Sequence, residues 1–314
     1  KLDAFSPSSD GKLVDEGKTE LVALANARPA SWYGLLARLD IEALGSKETP
    51  LASPRRIRDA AATSSLTPSP SLAADPRFAL ARTLVDAGYD EEALLAVGLL
   101  DVQKLAPQDR FVVALLEGRA GDAGSGHALL RDAGLALLPG TPSAASALAW
   151  SLDWPRAHED AIVAAASENK VPPALLFGIA REESAFDADV VSWAGAVGLC
   201  QLMMPTAADE AKSKGLAAPT VDALKDPALN ARLGASHIGR RLRGMRHPAL
   251  AIAAYNAGPG AVAQWAPKGP VDAWVESIPV DETRGYVKKV TGSWVTYALL
   301  DGSVDDVTFP LVLP

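Results

Sequence analysis

Almost nowhere in this chain do apolar residues alternate with period two. They recur at helical spacing instead, and alanine and leucine dominate the set. Such a pattern gives each helix one apolar stripe and gives a half-buried sheet nothing to bury, so the fold class it predicts is all-α. With 314 residues, 48% apolar and 22% charged, the chain is long enough for one large domain or two ordinary ones, each with its own core.

The helical pattern is broken at identifiable places. Residues 1–20 open with Ser, Pro, Gly and Asp and read as a loosely held terminus. Between Lys18 and Leu44 the apolar positions predict two helices joined near Arg28-Pro29, and residues 45–75, with Thr67-Pro68-Ser69-Pro70, read as a long connection. From Asp75 to Leu138 short helices alternate with glycine breaks. Gly88 and Gly121 stand 33 residues apart, a spacing suited to stacked helix pairs. Leu138-Pro139-Gly140-Thr141-Pro142 is a breaker cluster. It divides the chain into a stacked-helix domain over 1–150 and a second helical domain over 151–314 that includes the C-terminal tail. In the second domain helices are predicted over Ala157–Ser167 and Pro173–Ser184, the latter opened by Pro172-Pro173. The tail ends Val307-Thr308-Phe309-Pro310-Leu311-Val312-Leu313-Pro314, apolar enough to pack back on the body.

Composition excludes several function classes. A net charge of -8 makes a poor nucleic-acid partner, and the run Arg240, Arg241, Arg243 and Arg246 reads as a solvated helix face. A single cysteine excludes an internal disulfide, and His127, His158, His237 and His247 lack metal-ligand spacing, so neither metal nor cofactor is expected. No apolar run reaches the ~18 residues of a membrane span. The first residue, Lys1, is compatible with a signal peptide already removed.

The chemistry gathers around Arg181-Glu182-Glu183-Ser184-Ala185-Phe186. Leu176, Ile179, Ala180 and Glu183 fall at i, i+3, i+4 and i+7, so Glu183 lies on the apolar stripe while Arg181 and Glu182 point elsewhere. Burial and the negative end of the helix dipole both disfavour its anion and raise its proton affinity, as a general acid working near neutrality requires. A salt-bridged surface glutamate at a fraying helix end is the other reading of this position alone. Downstream, Gly195, Ala196 and Gly198 form a small-residue turn whose backbone can approach a ligand. Tyr255-Asn256-Ala257-Gly258-Pro259-Gly260 then ends a helix in a loop carrying an aromatic and an amide.

Four blocks in order carry a resemblance. They are Glu183-Ser184-Ala185-Phe186; Ser192 with Gly195-Ala196 and Gly198-Leu199-Cys200-Gln201; Ala254-Tyr255-Asn256-Ala257-Gly258; and Ile278-Pro279 with Glu282-Thr283-Arg284 and Tyr286-Val287. Together they resemble the soluble lytic transglycosylases, large peptidoglycan-cleaving enzymes with a lysozyme-like catalytic domain. The first half is similar more loosely, through Pro29-Ala30-Ser31-Trp32-Tyr33-Gly34-Leu35-Leu36-Ala37 and its glycine-broken helices. The resemblance implies a lysozyme-like helical domain from about residue 153, with a small β-ribbon near 186–200.

It also implies roles. Glu183 matches the catalytic acid/base; Ser192, Gln201 and Met203 match cleft positions; Tyr255 matches a residue near the carboxylate; Asn256 belongs to the same block; and Glu282 matches a second acidic residue of the groove. Trp193 and Tyr255 are the best aromatics for a sugar face, with Trp265 weaker, whereas Trp32, Trp150, Trp154, Trp274 and Trp294 read as core. The chain departs from the family pattern at Glu182, where Gln is frequent, at Cys200, where Met is usual, at Pro205, one place late, and at Ala261, where Arg is common.

The implied reaction uses one carboxyl group to cut between N-acetylmuramic acid and N-acetylglucosamine, leaving a 1,6-anhydro end. Glycan strands of peptidoglycan are the expected partner, and the periplasm or cell envelope the expected compartment. Asp187 and Asp189 read as solvated turn residues rather than the second carboxylate of an ordinary glycosidase. The alternatives are a goose-type lysozyme-like hydrolase on the same scaffold and a non-catalytic peptidoglycan-binding protein.

Overall fold

The computed structural model describes residues 11–45, 66–133, 143 and 146–314. The breaker cluster 138–142 and most of the 45–75 connection lie outside these residues. Among the described residues the fold is helical apart from one two-stranded ribbon.

Helix α1 (Gly11–Ala27) begins well inside the stretch expected to be loosely held, so that expectation is corrected. Its successor α2 (Trp32–Ala43) starts where the sequence places it, because the Ser31 hydroxyl accepts the Gly34 N–H at 3.1 Å. A Cβ at Gly34 would stand 1.9 Å from the Arg28 carbonyl oxygen, so only glycine permits this tight entry. The connection before Asp75 contains a short helix, α3 (Pro70–Ala73), pinned by buried Asp109, whose carboxylate accepts from the Ser69 N–H and hydroxyl.

The 33-residue glycine spacing corresponds to two successive helix hairpins. α4 (Pro76–Asp86) turns through Gly88 into α5 (Asp90–Val97), and α6 (Pro107–Arg119) turns through Gly121 into α7 (Ala123–Ala133). Both glycines have positive φ, +79° and +86°, which a side chain would resist. Phe78, Val85, Ala93, Val97, Val113 and Leu116 form the small core between the pairs.

The second half packs around α10 (Pro173–Ser184), flanked by α8 (Ala147–Asp153) and α9 (Glu159–Asn169), the latter two residues later than predicted. Then follow strands β1 (Ala196–Val197) and β2 (Leu202–Met203), α11 (Met204–Ser213), α12 (Val221–Leu224), α13 (Pro227–Met245), α14 (Pro248–Ala257), α15 (Pro259–Gln264), α16 (Val271–Ser277) and α17 (Asp281–Leu300). Proline occupies the first turn of α10, α11, α13, α14 and α15, where its missing N–H costs nothing. The ribbon is antiparallel, pairing Ala196 with Met203 and Val197 with Leu202, and with the bridge from Val191 to Val197 it lies where expected, near 186–200, its second strand just beyond.

Leu175, Leu176, Phe177, Ile179 and Ala180 of α10 are fully buried, chiefly against α17. The two helices meet at Gly178, where a Cβ would lie 3.1 Å from the Trp294 backbone nitrogen. That close crossing sets the registry between the end of α10 and the start of α17. Trp32, Leu35, Phe111 and Leu130 from the first half join the same core. Trp32, Trp150, Trp154, Trp274 and Trp294 are buried, as expected.

The tail packs back as predicted. Phe309 meets Trp32 edge-on at 5.6 Å, and the Leu313 N–H bonds the Gly269 carbonyl. His247 fixes it further. Its Nδ1 accepts the Ala249 N–H, so Nε2 carries the proton and donates to the Pro310 carbonyl at 2.9 Å.

Candidate active site

Helix α10 ends in a left-handed turn, with Ala185 at φ 52° and Phe186 at φ 68°. These are costly conformations for non-glycine residues and are held by their surroundings. Phe186 is buried beside Phe177, and the Ser184 hydroxyl donates to the Ala180 and Leu199 carbonyls. The Glu-Ser-Ala-Phe block is thus a helix stop stitched to the chain leading into the ribbon, and it leaves Glu183 in the last turn of α10 at the edge of a cleft.

A glycine-bearing turn forms the next wall. The Ser192 hydroxyl accepts the Ala196 N–H at 3.0 Å, and Gly195 at φ +83° turns the chain beneath Trp193, whose side chain is 100% exposed. Gly198, at φ +72°, could not carry a side chain: a Cβ would approach the Asn230 amide nitrogen to 2.4 Å. Asn230, fully buried, donates to the Val197 and Leu224 carbonyls and accepts from the Cys200 N–H. Its three bonds hold the loop, and Gln201 follows at φ 43°, its amide returning to the Gly198 and Val190 carbonyls. Cys200 fits because its partner on α13 is Gly234, where a Cβ would reach 2.5 Å from the sulfur.

The third and fourth blocks interlock. Asn256 donates to Glu282 Oε1 at 3.2 Å and accepts from the Thr283 hydroxyl at 2.5 Å. Tyr255 donates to the Cys200 carbonyl at 2.8 Å. Arg284 closes the start of α17 by donating to the Ile278 carbonyl and to Asp281.

These walls enclose a cleft of about 440 Å³ bounded by Glu183, Ser192, Trp193, Gln201, Met203, Tyr255, Asn256 and Glu282. All eight residues chosen from the sequence therefore meet at one place. Trp265 is not among the residues bounding it and packs against the main core. Asp187 and Asp189 are exposed, with Asp187 capping its own turn. Thr206 and His237 also border the cleft and were not singled out for it. Neither was Tyr286, which donates to Glu183 Oε1 at 2.5 Å. The signal for Tyr286 was present: it lies one helical turn after Glu282, on the same face of α17.

Within the cleft, electrostatics set Glu183 apart, although Glu117, outside it, is likewise raised to about 7 by burial. Burial pushes the Glu183 carboxyl from 4.5 up to about 7; the Tyr286 hydrogen bond opposes this, and the charges of Glu282 and Glu182 add to it. Glu182 faces a different space. A larger cavity of about 660 Å³ lies around Asp153, Arg181 and Glu182. There Glu182 accepts from Arg181 at 3.0 Å and from Ser293, and the Arg181 guanidinium covers the Trp154 ring at 3.6 Å. Those carboxylates are committed to an internal cation, so the smaller cleft holds the group fit for proton transfer. Among the described residues no cluster of three His, Cys, Asp or Glu side chains could hold a metal ion, and no helix is long and apolar enough to cross a membrane.

The sequence profile described as "Transglycosylase SLT domain" matches residues 160–270. Residues 160–270 are thus similar to a transglycosylase SLT domain. The match covers Glu183, the ribbon turn and the Tyr255–Gly258 loop, while Glu282 and Tyr286 lie beyond it. The soluble lytic murein transglycosylase of Escherichia coli (strain K12) is 39% identical over 145 residues, 44% of this chain and 22% of that protein. A putative soluble lytic murein transglycosylase of Haemophilus influenzae is 34% identical over 173 residues, 52% of this chain and 29% of that one. Among solved structures, the 70-kDa soluble lytic transglycosylase of Escherichia coli aligns with a TM-score of 0.68 and 26% identity, over 93% of this chain and 44% of that one. An inactive mutant of lytic transglycosylase Slt from Pseudomonas aeruginosa aligns with a TM-score of 0.71 and 24% identity, over 100% and 46%, and supports the fold alone. The chain thus matches about a quarter of the length of these curated relatives and under half of the solved chains.

Proposed function

We propose that this chain is a peptidoglycan lytic transglycosylase that cuts between N-acetylmuramic acid and N-acetylglucosamine, with Glu183 as its single acid/base. The observation that carries the reading is the partly buried Glu183 carboxyl, raised to about 7 and held by Tyr286, at the edge of a cleft within an SLT domain. A carboxyl half protonated near neutrality can give a proton and take one back in a single turnover.

In the first step protonated Glu183 donates to the glycosidic oxygen, and the C1–O bond breaks with its electron pair leaving on that oxygen. The positive charge developing at C1 is met by the substrate's own N-acetyl oxygen and favoured by the nearby negative charge of Glu282. In the second step the Glu183 carboxylate takes the proton of the C6 hydroxyl. That oxygen bonds to C1 and closes the 1,6-anhydro ring, so no water is consumed. Tyr286 fixes the carboxyl through both steps. Ser192, Gln201, Met203 and Asn256 line the sugar path, Tyr255 backs it, and exposed Trp193 offers a face for a sugar ring.

The bound class is the glycan strand, and the site of action is the periplasm or cell envelope where such strands lie. A division near residue 150 into a helical platform and a catalytic domain belongs to the same proposal. The test is turbidity loss and soluble muropeptide release from purified sacculi by the wild type and by Glu183→Gln. Release by the wild type alone is expected; equal release by both would overturn the role of Glu183.

A further inference from the structure

Beside the cleft, α13 and α11 build a charge cluster that the reaction above does not use. Glu210 of α11 is 1% exposed, yet its carboxylate accepts from Ser236 Oγ at 2.8 Å, His237 Nδ1 at 2.9 Å and Arg240 at 2.5 Å. Burial alone would raise its proton affinity, but the bonds from His237, Ser236 and Arg240 outweigh it and hold the carboxyl below its ordinary value. Glu210 is therefore an anion fixed in the protein interior.

That anion determines what His237 can do. Its Nδ1 is committed as donor to the carboxylate, which fixes the ring orientation and leaves Nε2 as the working atom. The ring stands edge-on to Tyr255 at 5.0 Å and borders the cleft. Among the described residues Nε2 has no hydrogen bond. The ionisable groups facing it differ in sign: Glu210 from α11, Arg240 from its own helix, Tyr255 from α14, and across the cleft Glu183 from α10 and Glu282 from α17. Of the side chains that bound the cleft, His237 is the one able to carry positive charge; the others are neutral or acidic. Stability alone does not require an imidazole here, since Ser236 and Arg240 already satisfy Glu210.

We propose that His237, oriented by Glu210, is a substrate-binding residue whose Nε2 engages an acyl oxygen on the glycan, either the lactyl carboxyl of muramic acid or an N-acetyl carbonyl. Among the side chains bounding the cleft it alone can bring a positive charge to such a group, in a cleft that also contains Glu183 and Glu282. Protonated, it donates to that oxygen with charge assistance; neutral, it loses the contact. Glu210 is a positioning residue that holds the ring through Nδ1.

This inference rests on the transglycosylase reading, and binding to catalytically silent protein separates the two. Affinity is measured by calorimetry on Glu183→Gln and on Glu183→Gln/His237→Gln. The ligands are a muramic-acid-containing tetrasaccharide with free lactyl carboxyl and an N-acetylglucosamine tetramer, across pH 5.5–8. Loss of about tenfold or more for the muramic ligand alone assigns the lactyl oxygen; equal loss for both assigns the N-acetyl oxygen. In either case the parent's affinity falls with rising pH and the His237 variant's does not. Unchanged affinities and an unchanged pH profile would overturn the inference while leaving the glycan reading intact. If the parent binds neither ligand, both fall. A second readout needs no substitution at His237: in Glu183→Gln protein its imidazole proton resonances should titrate at higher pH with muramic ligand present, and an unmoved titration would count against the contact.

Discussion

Substituting Glu183 by glutamine should make the folded protein more stable at alkaline pH while abolishing its activity. The reason is the proton affinity of the carboxyl, which stands at 4.5 in an ordinary setting and at about 7 here. The folded state holds this proton more tightly than the unfolded chain does, so ionising the group costs folding energy. That cost is absent below 4.5, grows between 4.5 and about 7, and is fully present above. At about 1.4 kcal/mol per pH unit, the interval corresponds to roughly 3 kcal/mol. Glutamine is uncharged and its carbonyl oxygen can still accept from Tyr286, so the variant escapes the penalty without losing that bond. Thermal unfolding of both proteins from pH 4.5 to 8.5 checks this. The curves should meet near the acid end and separate toward pH 8 by several degrees, about 2 °C per kcal/mol for a chain of 314 residues. Parallel curves, or a variant less stable at pH 8, would refute the claim that Glu183 is a desolvated carboxyl.

Further outcomes follow from the same geometry. Tyr286→Phe removes the bond that lowers the proton affinity of Glu183, so the alkaline limb of the pH–rate profile should move to higher pH while kcat falls about tenfold. A profile at the wild-type position would show that Tyr286 does not govern the carboxyl. Asn230→Ala strips three bonds from a buried loop and should cost about 2–4 kcal/mol in chemical denaturation, with glycan release lost alongside; a cost under 1 kcal/mol would mean that the loop holds without it. Trp193→Ala should leave stability within ~0.5 kcal/mol, because its side chain is fully exposed, yet weaken glycan binding about fivefold or more. Undiminished binding would remove Trp193 from the sugar path.

What the sequence revealed and what it hid divide along physical lines. Helical periodicity and proline at helix starts are local signals, so the all-α class, the Arg28-Pro29 joint and the bounds Pro173–Ser184 were all legible. The glycine pair at 88 and 121 marked real hairpin turns because positive φ is itself a local demand. The eight chosen cleft residues converge because their four blocks are interlocked, Ser184 to Leu199, Tyr255 to Cys200 and Asn256 to Glu282. The ribbon was legible near 186–200 from its glycine turn, whereas its second strand, Leu202–Met203, depends on Asn230, distant in sequence, which holds the turn. The arginine run is a largely exposed helix face, as expected, but nothing local announces that Arg240 also reaches a buried Glu210. His237 was overlooked for the same reason: its chemistry comes from a carboxylate 27 residues away.

The most direct test of a single acid/base acting without water is the chemistry of the new glycan ends. Purified sacculi digested by the wild type should release muropeptides that end in 1,6-anhydromuramic acid by mass spectrometry, with no incorporation from ¹⁸O-labelled water, and Glu183→Gln should release none. Reducing ends carrying the label would contradict the account and make the protein a hydrolase.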